Sequence, residues 1–159
     1  MVVPPFQELV DTYWRDVARL CAALAGPQDA EDAAQRTWLQ ALRAYPNLRD
    51  GRNLRGWLLT VAARAAVDGH RDRARRPVPV ATLPEPASHS APVDHGYDGE
   101  LWALVRALPE RQRAAVALRY GLDLPHREVA ASLGCTENAS RRLVSDGLAT
   151  LRKTLDKEA

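Results

Sequence analysis

The chain has 159 residues, 46% of them apolar and 26% charged, with a formal net charge of +2, which excludes full-length disorder and allows one domain or two small ones. No run approaches the roughly 18 apolar residues that a membrane span needs, because Arg15, Arg36, Arg64 and Arg119 interrupt each apolar segment. The stretch from Met1 to Phe6 lacks the basic and apolar regions of a secretory signal, so a cytoplasmic protein with no membrane association is expected.

Phe6, Leu9, Val10, Tyr13, Val17, Leu20, Cys21 and Leu24 recur at helical spacing on one face, and Gly26-Pro27 stops that helix. Asp29, Glu31 and Asp32 then place carboxylates where a helix N-terminus favours them. Ala30, Ala34, Trp38, Ala41 and Tyr45 give this second helix an apolar stripe, and Pro46 ends it. After the Asp50-Gly51 turn, Asn53 is the expected N-cap of a third helix. Leu54, Trp57, Leu58, Val61, Ala62 and Ala65 form its inward stripe, and it runs into HRDRARR.

From Pro77 to Gly99 the chain holds five of its eleven prolines and no sustained apolar period, as expected of a flexible linker. Two domains are therefore expected, 1–76 and 100–159. In the second, Leu101, Leu104, Val105 and Leu108 form a short helix halted near Pro109, and Glu110 to Tyr120 forms another, with Gly121 as its expected C-cap. Pro125 to Leu133, the tight Gly134-Cys135-Thr136 connection and Glu137 to Leu155 then read as helix, turn and longer helix. No strand pattern competes, so the fold class is all-α: two small helical domains joined by a Pro-rich linker.

Basic residues outnumber acidic ones in both domains, 12 to 9 and 10 to 8, while the linker holds three acidic residues and no basic one. A polyanion partner is compatible with mildly basic ends of this kind. In the helix-turn-helix, Val129, Ala130 and Leu133 and then Val144, Leu148, Leu151 and Leu155 point inward. Asn138, Arg141, Arg142 and Ser145 share the opposite face near the start of the last helix, where a recognition helix meets base edges. Arginine can bond guanine in bidentate fashion and asparagine adenine, which favours DNA binding over a merely solvated helical hairpin. Arg64, Arg71, Arg73, Arg75 and Arg76 form a second basic cluster at a helix end, which suits phosphate binding or simply the helix dipole.

Catalytic readings are weak. His70, His89, His95 and His126 are scattered, and no nucleophile, phosphate-loop or metal-ligand spacing occurs, so neither an enzyme nor a metal or other cofactor is expected. Cys21 and Cys135 are far apart and read as packed or idle thiols. Trp14, Trp38, Trp57 and Trp102 sit on helical faces and read as core anchors.

Three stretches resemble the extracytoplasmic-function (ECF) group of the sigma-70 superfamily of bacterial RNA polymerase sigma factors. DAEDAAQRTWLQALRAYPNL, from Asp29 to Leu48, is similar to the family's regions 2.1 to 2.2, and NLRGWLLTVAARAAVDGHRDRARR, from Asn53 to Arg76, to regions 2.3 to 2.4. Leu108 to Arg152 is similar to region 4. The resemblance implies a transcription-initiation factor that binds core RNA polymerase, at the β′ clamp helices and the β flap, and directs it to promoter DNA. By position it implies polymerase contacts at Asp29, Asp32, Gln35, Trp38, Leu39 and Arg43. It implies minus-10 contacts at Trp57, Arg64, Ala65, Asp68, Arg71, Arg73, Arg75 and Arg76, and minus-35 contacts at Arg127, Asn138, Arg141, Arg142 and Ser145. It further implies a monomer when free and an anti-sigma factor as a partner.

The chain departs from the family pattern at four places. Thr60 stands where Arg is common, Arg64 where Asn is common, Ser140 where Val is usual on the inward stripe, and Asp146 where a basic residue is frequent. A negative Asp146 facing the DNA backbone would weaken minus-35 affinity. Two alternatives stay open at this point: a sigma-like regulator that binds DNA or polymerase without melting promoters on its own, and a helical adaptor that binds no DNA.

Overall fold

The computed structural model describes residues 2–75 and 99–159, and every regular element among them is helical. α1 (Phe6–Ala25) buries Leu9, Val17, Leu20, Cys21 and Leu24, the stripe expected from its periodicity. It stops at Gly26, whose φ of +84° is a conformation that side chains resist. α2 (Ala30–Ala44) carries Glu31 and Asp32 in its first turn, where the exposed N–H groups of a helix end favour negative charge. Pro46 ends the α-helix but sits inside a 3₁₀ turn (Tyr45–Asn47), since its fixed φ suits the first positions of such a turn. α3 (Leu54–Arg75) is capped by Asn53, whose Oδ1 accepts from the Gly56 N–H at 3.1 Å. These three helices pack pairwise on one another.

The second half comprises α4 (Glu100–Arg106), α5 (Glu110–Val116), a π-helical turn (Ala117–Gly121), α6 (His126–Leu133) and α7 (Glu137–Glu158). Two expectations need correction here. Gly121 is not a left-handed C-cap: it lies inside the π turn, and the left-handed residue is Asp123, at φ +54°. The wide turn closes through Leu122 N–H to Ala117 O at 3.3 Å and Leu124 N–H to Leu118 O at 3.2 Å, and it buries all three leucines. Asp tolerates the left-handed conformation better than most residues.

The second correction concerns α7, whose buried residues are Ser140, Val144, Gly147 and Leu151; Leu148 is half-buried and Leu155 is exposed. The reason is length. At 1.5 Å per residue, the 22 residues of α7 extend about 33 Å, while the seven of α5 extend about 10 Å. Gly147 fits the stripe because α5 approaches closely: a Cβ there would stand 2.9 Å from Val116 Cγ2.

The two halves share one apolar core. Ala115, Ala117, Leu118, Leu122, Leu124, Val129 and Val144 belong to the same buried cluster as Leu9, Val17, Leu20, Leu58 and Leu59. α1 packs on the π turn and on α4, and α3 packs on α6. Trp38, Trp57 and Trp102 pack at the margin of this core. Trp14 does not; it lies off the α1 stripe, 41% exposed, with the Arg15 guanidinium 5.4 Å from its ring centre. The linker from Pro77, up to but not including Gly99, and Arg76 lie outside the described residues. Among the described residues, no helix is long and apolar enough to cross a membrane.

Candidate nucleic-acid interface

The helix-turn-helix is built from three local devices. Gly134, at φ +64° and ψ +39°, ends α6 in the left-handed conformation, and the Cys135 N–H donates back to Ala130 O at 3.0 Å. Thr136 begins α7 by accepting the Ala139 N–H on its Oγ1 at 3.1 Å. Inside the angle, the fully buried Ser140 hydroxyl lies 3.3 Å from His126 Nδ1. Ser140 therefore packs inward, as its place in the sequence pattern requires.

With that seam buried, Arg127, Asn138, Arg141, Arg142 and Ser145 are all exposed. Both arginines of α7 are held by carboxylates one turn away: Arg141 Nη2 lies 2.8 Å from Glu137 Oε1, and Arg142 Nε lies 3.9 Å from Asp146 Oδ2. Such exposed i,i+4 pairs are weak, so a phosphate or a guanine edge can compete for either guanidinium. A concavity beside this face is lined by Arg119, Pro125, His126, Arg127, Glu137 and Arg141. Arg119 is a cation that the helical pattern did not single out, because its role depends on the π turn that carries it next to Arg127. Its guanidinium lies 3.5 Å from Asp123 Oδ1 and 5.5 Å from the ring centre of the exposed Tyr120.

On α3 the expected residues separate into different environments. Arg64 and Asp68 are exposed, whereas Ala65 is fully buried and presents no surface in this arrangement. Trp57 is half-buried, its ring 6.1 Å from that of Tyr45, which in turn makes an edge contact with Phe6 at 5.2 Å. The Tyr45 hydroxyl donates to the Pro4 carbonyl, so this aromatic row fastens the chain start to α2 and α3. Thr60 returns its hydroxyl to Gly56 O at 2.8 Å within the helix. Arg71, Arg73 and Arg75 lie in the last turns of α3, and their side chains, like all of Arg76, lie outside the described residues.

On α2, Asp32, Gln35, Leu39 and Arg43 are exposed along one stripe, with Asp29 half-buried at the helix start. Trp38 turns inward, its ring edge-on to Phe6 at 6.3 Å. Leu42 was not anticipated: it is 51% exposed one turn from Leu39, itself 55% exposed, and together they make an uncovered apolar pair beside charged residues. The signal was in the sequence, since Leu42 falls outside the inward stripe of α2.

A family model described as "Sigma-70 region 2" matches residues 9–76, and one described as "Sigma-70, region 4" matches residues 98–151. Among relatives, the chain is 33% identical over 147 residues to "ECF RNA polymerase sigma factor SigD" of Mycobacterium tuberculosis, an alignment covering 85% of this chain and 69% of that protein. It is 27% identical over 151 residues to "RNA polymerase sigma-E factor" of Streptomyces coelicolor, covering 94% and 85%. Among solved structures, the sigma factor RpoE in complex with the anti-sigma factor NepR from Bartonella quintana superposes with a TM-score of 0.69 at 19% identity, covering 95% of this chain and 96% of that one. CnrH in complex with the cytosolic domain of CnrY superposes with a TM-score of 0.68 at 18% identity, covering 97% and 89%. At these identities the two structures speak for the fold.

Proposed function

Since the chain belongs to the sigma-70 family, among its ECF members, and so serves RNA polymerase in promoter-specific transcription, we propose how its surfaces divide that work. Residues 1–76 form the polymerase- and minus-10-binding domain, 77–99 the linker, and 100–159 the minus-35-binding domain. The exposed stripe of α2, from Asp32 through Gln35 and Leu39 to Arg43, docks on the β′ clamp helices, with Leu42 extending it. An apolar pair ringed by charge is the composition expected of a protein-binding patch. The second domain also meets the β flap.

The observation that carries the promoter reading is the exposure of Arg127, Asn138, Arg141, Arg142 and Ser145 over a helix-turn-helix whose inner seam is buried and capped. α7 enters the major groove of the minus-35 element, where Asn138 and Arg141 face base edges and Arg127 faces phosphate. Arg64, Asp68 and the basic end of α3 engage the unpaired strand of the minus-10 element. Single-strand binding combines a basic track with base contacts, and Arg64 in place of the usual Asn gives this chain its own base preference there. The helix ends of this arrangement do no bond-making chemistry; the polymerase does. One of the two solved structures holds the sigma factor RpoE in complex with an anti-sigma factor, and an anti-sigma partner is proposed for this chain too.

The test is transcription in vitro with core RNA polymerase and this protein on a fragmented genomic library, with 5′ ends sequenced. Discrete starts that share paired upstream motifs are expected. Polymerase binding without any starts overturns the initiation reading in favour of a regulator that cannot melt promoters. Asp32→Arg is expected to abolish polymerase binding with folding intact; unchanged binding removes α2 from the contact.

A further inference from the structure

We propose that the cavity where α3 meets α5 and α6 binds a small zwitterion, an α-amino acid with an uncharged polar side chain, and that its occupant covers Arg64 and Asp68. The consequence for promoter binding rests on the reading of these two residues as minus-10 contacts; the binding itself does not.

The observation that points to a ligand is Ser132. It is 4% exposed, and its hydroxyl has no hydrogen-bond partner among the described residues. A hydroxyl inside a helix ordinarily returns to the carbonyl one turn back. Those of Thr12, Thr37, Thr60, Thr150 and Thr154 all do so here, at 2.7–3.0 Å. Ser140, the other buried serine among the described residues, has His126 instead. A buried hydroxyl without a partner costs stability, and this one belongs to a side chain that lines a cavity of about 260 Å³. Rotation about a single side-chain bond lets it turn to an occupant.

The rest of the lining defines the ligand. α3 contributes Arg64 and Asp68, one turn apart on one face, and α5 contributes Glu110 and Arg111. Two positive and two negative side chains make the lining neutral. A lone anion would meet two carboxylates and a lone cation two guanidiniums, whereas a molecule with one charge of each sign pairs with both. Arg111 uses Nη2 to donate to the Leu133 carbonyl at 3.3 Å, which leaves its other N–H groups for a carboxylate. Arg64, Asp68 and Arg111 are exposed while Ser132 is buried, so charge stands at the rim and the hydroxyl at the floor. Ala63 and Ala114, each 5% exposed, make the room by the shortness of their side chains. That room equals about nine waters at about 30 Å³ each, which suits a molecule of about ten non-hydrogen atoms. Glutamine is of this size: its charged head matches the rim, and its amide supplies the donor and acceptor that Ser132 lacks.

Calorimetric titration of the full chain tests this, with L-glutamine, L-asparagine, L-serine and L-threonine as probes in turn. Saturable one-to-one binding of at least one is expected, with acetate and ethylammonium, which carry one charge each, at least about tenfold weaker. Ser132→Ala is expected to weaken the binding about two- to tenfold, and exposed Arg64→Gln about tenfold or more. Without ligand, Ser132→Ala is expected to melt no lower than the wild type, since it removes a hydroxyl that has no partner. Silence from all four amino acids overturns the proposal. So does acetate binding as tightly as they do, or affinity unchanged in both variants, which puts the ligand elsewhere. The titration needs neither polymerase nor DNA, so a failed transcription assay and a failed ligand site are told apart.

Discussion

His126 Nδ1 lies 3.3 Å from the Ser140 hydroxyl, joining the first turn of α6 to the interior of α7 at a residue with no solvent exposure. This contact ties α6 to α7 across the turn between them. Ser140→Ala removes it and is expected to lower stability by about 0.5–1.5 kcal/mol in a urea melt. An unchanged midpoint means the contact adds nothing to stability.

Gly147 has the opposite character, since what matters there is an absent side chain. Alanine is favoured over glycine in a helix by about 1 kcal/mol. A Cβ 2.9 Å from Val116 Cγ2, however, forces apart α5 and α7, and overpacking of a tight core costs about 1–3 kcal/mol. Gly147→Ala is therefore expected to be neutral to destabilising by up to about 2 kcal/mol, and a stabilised variant in thermal melts contradicts the close approach.

Three residues of the helix-turn-helix give separable binding phenotypes. Arg141→Ala is expected to cost about 1–3 kcal/mol on a matched minus-35 duplex and little on a random one. Arg127→Ala is expected to weaken both equally and to reduce the salt dependence by about one ion. Asp146→Asn frees Arg142 and removes a negative charge from this face, so tighter binding to every duplex is expected. Equal losses from Arg141→Ala on all sequences would make it a phosphate contact.

Burial pushes the Cys21 thiol up to about 12 from an ordinary 9.0, against the smaller opposing effect of a hydrogen bond with Thr37. The neutral thiol is thus the form the fold keeps. Its contribution to stability is complete below pH 9, where the unfolded thiol is also neutral, and is lost as pH rises from about 9 towards 12. Cys21→Ala is expected to flatten the fall in stability over that window; an unchanged slope would assign the fall to other groups. A thiol reagent at neutral pH is expected to label the half-buried Cys135 alone in the native chain and both thiols in denaturant.

The helices and their inward stripes were legible because amphipathic spacing is a local signal: Leu9, Val17, Leu20 and Leu24 face the core as their periodicity requires, and Asn53 caps α3 as its position requires. The turn of the helix-turn-helix was equally legible, since Gly134 and the exposed face of Asn138, Arg141, Arg142 and Ser145 follow from residue type and register. The π turn was not. It adds one residue to a helical turn, and only the burial of Leu118, Leu122 and Leu124 against α1 and α6 makes that irregular geometry favourable.

By itself, the sequence determined an all-α chain, the order and approximate ends of its helices, and which side chains at the start of α7 are exposed, because each of these depends on residues within one or two helical turns. Tertiary structure alone decided that Gly147 replaces Leu155 in the inner stripe and that Arg55 reaches carboxylates of both halves. Each of those outcomes depends on where a distant helix comes to rest, and periodicity, which describes one helix at a time, carries no information about its neighbour's position.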